Sequence, residues 1–200
     1  MLTYAPVRID SSDPTLQFYN TAGVAYRAGN YDATSHTWKL SGTASMTLAA
    51  DGAFTASQQY RATVRQGSAQ TLLDATDSPI NFDTEVEDTG GLHSTAGGQQ
   101  HKITIPTGGD GLYLFIGQVT FAADAGAAGR RSVWLEKNNV AFVYSDETKI
   151  DTGALTVQVV GYVTAVATDF VHMLAKQTSG GNLDTVSGAG FTELMAVKVA

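Results

Sequence analysis

"GDGLYLFIGQVTFAAD", residues 109–124, decides how the chain is read. A β-strand turns successive side chains to opposite faces. Tyr113, Phe115, Val119 and Phe121 then line one face, while Leu112, Leu114 and Ile116 line the other. An ordinary sandwich strand pairs one apolar face with one wet face. This one is apolar on both, and the second face needs a cover.

Three further stretches share the property. In 154–165, Leu155, Val157, Val159 and Val163 are opposed by Val160 and Tyr162. In 168–177, Phe170, His172 and Leu174 oppose Val171, Met173 and Ala175. In 190–199, Phe191, Met195, Val197 and Val199 oppose Leu194 and Ala196. A soluble monomer rarely exposes a contiguous apolar patch beyond a few hundred Å². The simplest cover is another copy of the chain in a closed, symmetric assembly.

Composition supports an all-β chain. Charged residues make up only 16% of the sequence and glycine occurs 21 times, which suits short strands and tight turns better than helices or disorder. Strands are expected at 60–66, 79–83, 101–105, 111–123, 131–137, 140–145, 154–165, 168–177 and 190–199. Thr107–Gly111, Gly126–Gly129, Asn138-Asn139 and Ser179–Asn182 break the pattern between them. Strands at that spacing predict a sandwich or barrel. Residues 1–55 differ: apolar snatches such as "LQFYN", "WKL", "SMTLAA" and "AFTAS" alternate with Asn20–Gly23, Gly29-Asn30, Ser41-Gly42 and Asp51-Gly52. Each is too short to make a core alone, so completion by copies from other chains is expected. The division is 1–55, an attachment or stalk segment, and 56–200, the main domain.

The net charge of −7 argues against binding a phosphate backbone, which needs a basic face. No run approaches the roughly 20 apolar residues of a membrane span. "MLTYAPVRID" lacks a basic start followed by an apolar core, so synthesis in a cytoplasm is expected. Without cysteine there is no disulfide scaffold and no thiolate metal site.

The residues "SPINFDTEVEDTGGLHS", "HKITIPTGGDGLYLFIGQVTFAAD", "GRRSVWLEKNN", "DFVHMLAKQTSGGNL" and "FTELMAVKV" together resemble the globular head of the complement and tumour-necrosis-factor superfamily, in the form found in phage virion proteins. Gly111-x-Tyr113-x-Phe115 matches the family's G-x-Y-x-F signature. Gly117 stands where another aromatic is common, and Ile105 where a phenylalanine is often seen. The resemblance implies a ten-strand jelly-roll β-sandwich that assembles as a trimer. Gly111, Tyr113, Phe115, Val119 and Phe121 would form the trimer interface or core. Phe170, His172, Leu174 and Phe191 would supply other apolar strand positions. Residues 1–55 are similar to short β segments of trimeric fibre shafts.

Chemistry is sparse. His36, His93, His101 and His172 show no metal-ligand spacing. A site from His93 and His101 with Asp83, Glu85, Glu87 or Asp88 is outweighed by a solvated loop followed by a strand-edge histidine. His172, on an apolar face, reads as a satisfied core or axis histidine. The acidic run "DTEVED", 83–88, is expected to be a solvated loop and not a Ca²⁺ site. No nucleophile elbow or phosphate cradle is present, so no enzyme, metal or cofactor is expected. Trp38 and Trp134 suit packing better than sugar stacking. The expected function is a phage head fibre or capsid decoration protein, a homotrimer docked on capsid or tail proteins at the virion surface. The alternative is a tail-tip or tail-fibre adhesin for a host surface glycan.

Overall fold

The computed structural model describes residues 15–19, 25–32, 35–40, 43–49, 54–56, 59–123, 129–149 and 153–199, with side chains described only from residue 59 onward and not at Lys149. It divides into two compact units, 1–58 and 59–200.

In the first unit, β1 (Thr15–Tyr19), β2 (Ala25–Asp32), β3 (Ser35–Leu40), β4 (Thr43–Ala49) and β5 (Phe54–Ala56) form an antiparallel meander in sequence order. Each strand of this meander is hydrogen-bonded to its neighbours in sequence. Gly29-Asn30 does not break the chain as expected, because β2 runs through it. The pairing steps from Thr15↔Asn30 to Gln17↔Arg27, so the extra residue at Ala28-Gly29 forms a bulge, a common place for glycine inside a strand. The turns at Asn20–Gly23, Ser41-Gly42 and Asp51-Gly52, and the side chains of Trp38 and His36, lie outside the described residues.

In the second unit the chain weaves between two sheets. The first, in order β14-β11-β17-β6-β9, contains β6 (Arg61–Arg65), β9 (Thr84–Thr89), β11 (Gly111–Phe121), β14 (Leu155–Ala165) and β17 (Glu193–Lys198). The second contains β10 (Ile103–Thr104), β15 (Phe170–Gln177), β12 (Gly129–Lys137) and β13 (Val140–Lys149), with β8 (Ser78–Pro79) also paired to β15. A small ladder joins β7 (Thr71–Leu72) to β16 (Leu183–Asp184). Every described element is a strand.

Two expectations need correction here. Residues 84–89 are an edge strand paired with β6, not a solvated loop: four of the six positions are half-buried and only Glu85 and Val86 are exposed, and ladder hydrogen bonds outweigh the charge of the run. Of 79–83, only Pro79 belongs to a strand, yet Ile80 and Phe82 are fully buried, because the segment crosses between the sheets with both side chains turned inward.

The core is the set of inward positions. Ala62, Val64, Tyr113, Phe115, Val119, Phe121, Val157, Val159, Leu194 and Ala196 from the first sheet face Ile103, Val133, Leu135, Val171, Met173 and Ala175 from the second. Each large apolar side chain so buried contributes about 1.5–3 kcal/mol. Asn138 and Asn139, both at positive φ, make the two-residue hairpin turn between β12 and β13. Asp169 fastens this turn to the next loop by accepting from Asn138 Nδ2 at 2.7 Å and the Val166 N–H at 3.0 Å. Those two hydrogen bonds, the Val166 N–H first, hold its carboxyl below the ordinary carboxylate value.

Gly117 occupies an inward position of β11, where a Cβ would stand 2.6 Å from Met173 Sδ and 3.3 Å from Val159 Cγ1. Met173 thus fills the volume an aromatic at 117 would take. Gly117→Phe is expected to destabilise the fold by about 1–3 kcal/mol through overpacking, and Met173→Ala in the same chain to recover part of that loss. A double-mutant cycle by urea denaturation measures the coupling; additive losses at the two positions contradict the shared-volume account.

Candidate assembly interface

The pairing of β11 settles which face is which. Its odd residues point into the sandwich and its even residues out. Leu114 lies beside Tyr162 of β14 and Val197 of β17, and Ile116 beside Val160 and Met195. On the outward face these form two apolar rows, closed at one end by Leu112. Tyr162 is 62% exposed and Val160 53%. One row further along, Gln158 Nε2 donates to Gln118 Oε1 at 3.0 Å, and Gln118 Nε2 to the Gly190 carbonyl at 2.9 Å.

The same rows turn polar on reaching β6 and β9. Val197 pairs with Arg61, Met195 with Thr63 and Glu193 with Arg65; beyond them stand Thr89, Glu87 and Thr84. Arg61 is held by Glu87, with Nε 2.6 Å from Oε1. The face is therefore divided into an apolar half on β14, β11 and β17 and a charged half on β6 and β9. On an ordinary monomer the largest apolar patch covers about 300–600 Å² and often marks a working surface.

Tyr113, Phe115, Val119 and Phe121 lie fully buried in the core of the protomer, and Gly111 opens their strand. The Tyr113 hydroxyl donates to the Gly109 carbonyl at 2.7 Å. Burial first, then Tyr60 and Asp110 nearby, pushes its pKa up to about 12. Ile105, at the position where the resemblance suggested a phenylalanine, is also buried.

The second face of β15 has its cover inside the chain. Leu174 is 8% exposed, flanked by Trp134 on β12 and Pro79 on β8, and His172 is buried as well. The double-faced pattern of 168–177 therefore does not mark an open patch. Phe170 stands edge-on to the His172 ring, and Phe191 is an exposed residue of the turn before β17.

The acidic run holds no open ligand set. Asp83 accepts from the Gly67 N–H. Asp88 caps the N–H groups of Leu92 and His93 at 2.9 and 3.0 Å. Glu85 sits 3.0 Å from Nδ1 of His93. His93, expected in a solvated loop, is buried, because its Nε2 also reaches the Gln100 carbonyl at 3.1 Å. The His101 ring stands beside that of His172. Among the described residues no three His, Asp or Glu side chains converge as metal ligands. Arg131, half of the basic doublet, is buried with its guanidinium over the Phe121 ring at 5.9 Å. The charge pattern of Arg61, Glu87 and Glu193 across this outward face was missed in the sequence, since its rows exist only once the register is known.

No family model matches the sequence, and no curated protein sequence matches it. Solved structures do match. The globular domain of zebrafish complement 1qA protein aligns over 70% of this chain and 98% of its own, with a TM-score of 0.51 and 13% identity. Eiger TNF from S. frugiperda aligns over 71% and 93%, with a TM-score of 0.53 and 12% identity. Murine APRIL aligns over 71% and 100%, again with a TM-score of 0.53 and 12% identity. The second unit is a TNF-like jelly roll. The likeness establishes the fold of this unit.

The signature tyrosine of the jelly roll gives a direct test. A tyrosine whose pKa is raised in the folded state contributes stability that is fully present below its unfolded value near 10 and lost as pH rises through about 12. Tyr113→Phe is expected to cost about 1 kcal/mol near neutral pH and to remove the last tyrosine step from the ultraviolet pH titration. An unchanged titration contradicts the assignment.

Proposed function

We propose that this chain is a non-enzymatic structural protein that assembles as a homotrimer through the outward face of β14, β11 and β17. The observation that carries the reading is the apolar half-face formed by Leu112, Leu114, Ile116, Val160, Tyr162, Met195 and Val197. Bringing these rows together removes them from water, and a cyclic arrangement does so without leaving a free sticky end. The number three comes from the sequence resemblance carried by Gly111-x-Tyr113-x-Phe115.

Within the same proposal the setting is a phage particle, with synthesis in the host cytoplasm. The jelly roll projects from the virion surface as a head fibre or capsid decoration, and the β-rich first unit contacts capsid or tail proteins. Support comes from the likeness of the quoted segments to phage virion heads and from a compact β unit preceding the jelly roll.

Light scattering of the full chain is expected to give three times its 21.0 kDa mass. Tyr162→Glu and Ile116→Glu, both at positions exposed in the protomer, are expected to give folded monomers. A wild-type monomer sinks the assembly reading. For the setting, antibody label spread over the capsid supports decoration. Label at the tail tip favours an adhesin that binds a host glycan, and unlabelled particles overturn the virion role.

A further inference from the structure

On the outward face of the second sheet, Glu136 joins two buried rings. Its Oε1 accepts from Trp134 Nε1 at 2.8 Å, and its Oε2 lies 3.1 Å from His172 Nε2. A carboxylate only accepts, so Nε2 of His172 carries a proton, and in the neutral ring Nδ1 is then a bare lone pair. That Nδ1 is buried and has no hydrogen-bond partner, on a residue only 6% exposed. Buried polar atoms are ordinarily paired. The two nitrogens point to roughly opposite sides of the ring, and with Nε2 turned to β12, Nδ1 faces away from it. The His101 ring stands beside that of His172, with centres 6.1 Å apart. A neutral imidazole at 101 offers a lone pair of its own.

We propose that His101 and His172 form a two-nitrogen site for a first-row divalent transition metal ion, with Glu136 as the carboxylate that orients the His172 ring. A metal–nitrogen bond of about 2.0–2.1 Å places an ion about 3 Å from each ring centre, so two rings sharing it stand roughly 5–6 Å apart. Half-buried His101, on a turn, closes the remaining gap by a small rotation. A carboxylate on the far nitrogen of a histidine is the usual support of a metal-binding imidazole, because it fixes the tautomer and raises ligand basicity. His93 offers no equivalent, since both its ring nitrogens already face partners.

Water completes the coordination, as no third protein ligand is present among the described residues. Lys102, whose ammonium lies over the Phe170 ring at 4.6 Å, brings like charge near the ion and lowers affinity. Imidazole donors select Cu²⁺, Ni²⁺ and Zn²⁺ over Ca²⁺ and Mg²⁺. The site is on the sheet opposite the assembly face, so the inference stands apart from the proposed function.

The test is isothermal titration of the full-length protein with Cu²⁺ and with Zn²⁺ near neutral pH, with Ca²⁺ as the control. One ion per chain is expected, Cu²⁺ binding tighter than Zn²⁺ and Ca²⁺ giving no heat. Binding is expected to be lost in His101→Ala and His172→Gln and weakened about 10–100-fold in Glu136→Gln. At about pH 5 it is expected to fail, since protonated imidazole cannot bind metal. His101→Ala is decisive because it leaves the buried face of β15 intact, and circular dichroism confirms its fold. No binding by the wild type, or binding that survives His101→Ala, overturns the proposal.

Discussion

Strand β11 is hydrogen-bonded along both edges, to β14 over its whole length and to β17 over Tyr113–Gln118. That double pairing is the constraint on which the rest depends. A slip of one residue would move Tyr113, Phe115, Val119 and Phe121 to the outside and break register with two neighbours at once. Parity is therefore fixed in three adjacent strands together. The core and the apolar outer rows are two consequences of a single register. Tyr113 adds a local lock, because its hydroxyl reaches back to the turn that starts the strand.

The two outward faces solve the same problem differently. On the first sheet, rows of Leu, Ile, Val, Tyr and Met are left open toward water in the protomer. On the second, the large side chains of Trp134 and Leu174 lie side by side across the ladder. Glu136 supplies the polar end that Trp134 and His172 need when buried. An apolar strand face is thus left open only where no lateral neighbour of matching size stands next to it.

Much of this was legible in the sequence. The alternation in 109–124 separated the two faces of the strand without saying which one is inward, Asn138-Asn139 marked a true turn between strands, and the segment order led to the jelly roll. The errors share one cause. "DTEVED" looked like a solvated loop because its charge is local information, whereas its partner Arg61–Arg65 lies about twenty residues away in sequence. Gly29 looked like a break because a bulge is visible only from the opposite strand. His93 looked exposed because Glu85 and the Gln100 carbonyl, which make its burial affordable, approach it only after the chain has turned twice. The Glu136–His172 pair spans 36 residues and follows from register, not from spacing.

The acidic strand β9 gains a meaning from its place at the end of its sheet. On the second sheet, the outer side of β15 is capped by β8 and β10. At another corner β14 comes against β13 so closely that a Cβ on Gly161 would stand 2.8 Å from Val143 Cγ1. The rim at β9 is lined by Glu85, Glu87 and Asp88, and an incoming strand would have to lie against those carboxylates. Strand-by-strand stacking of one molecule on the next is thereby opposed by charge. Crowding many copies side by side then favours contacts between faces, which can close, over contacts between edges, which run on into fibrils.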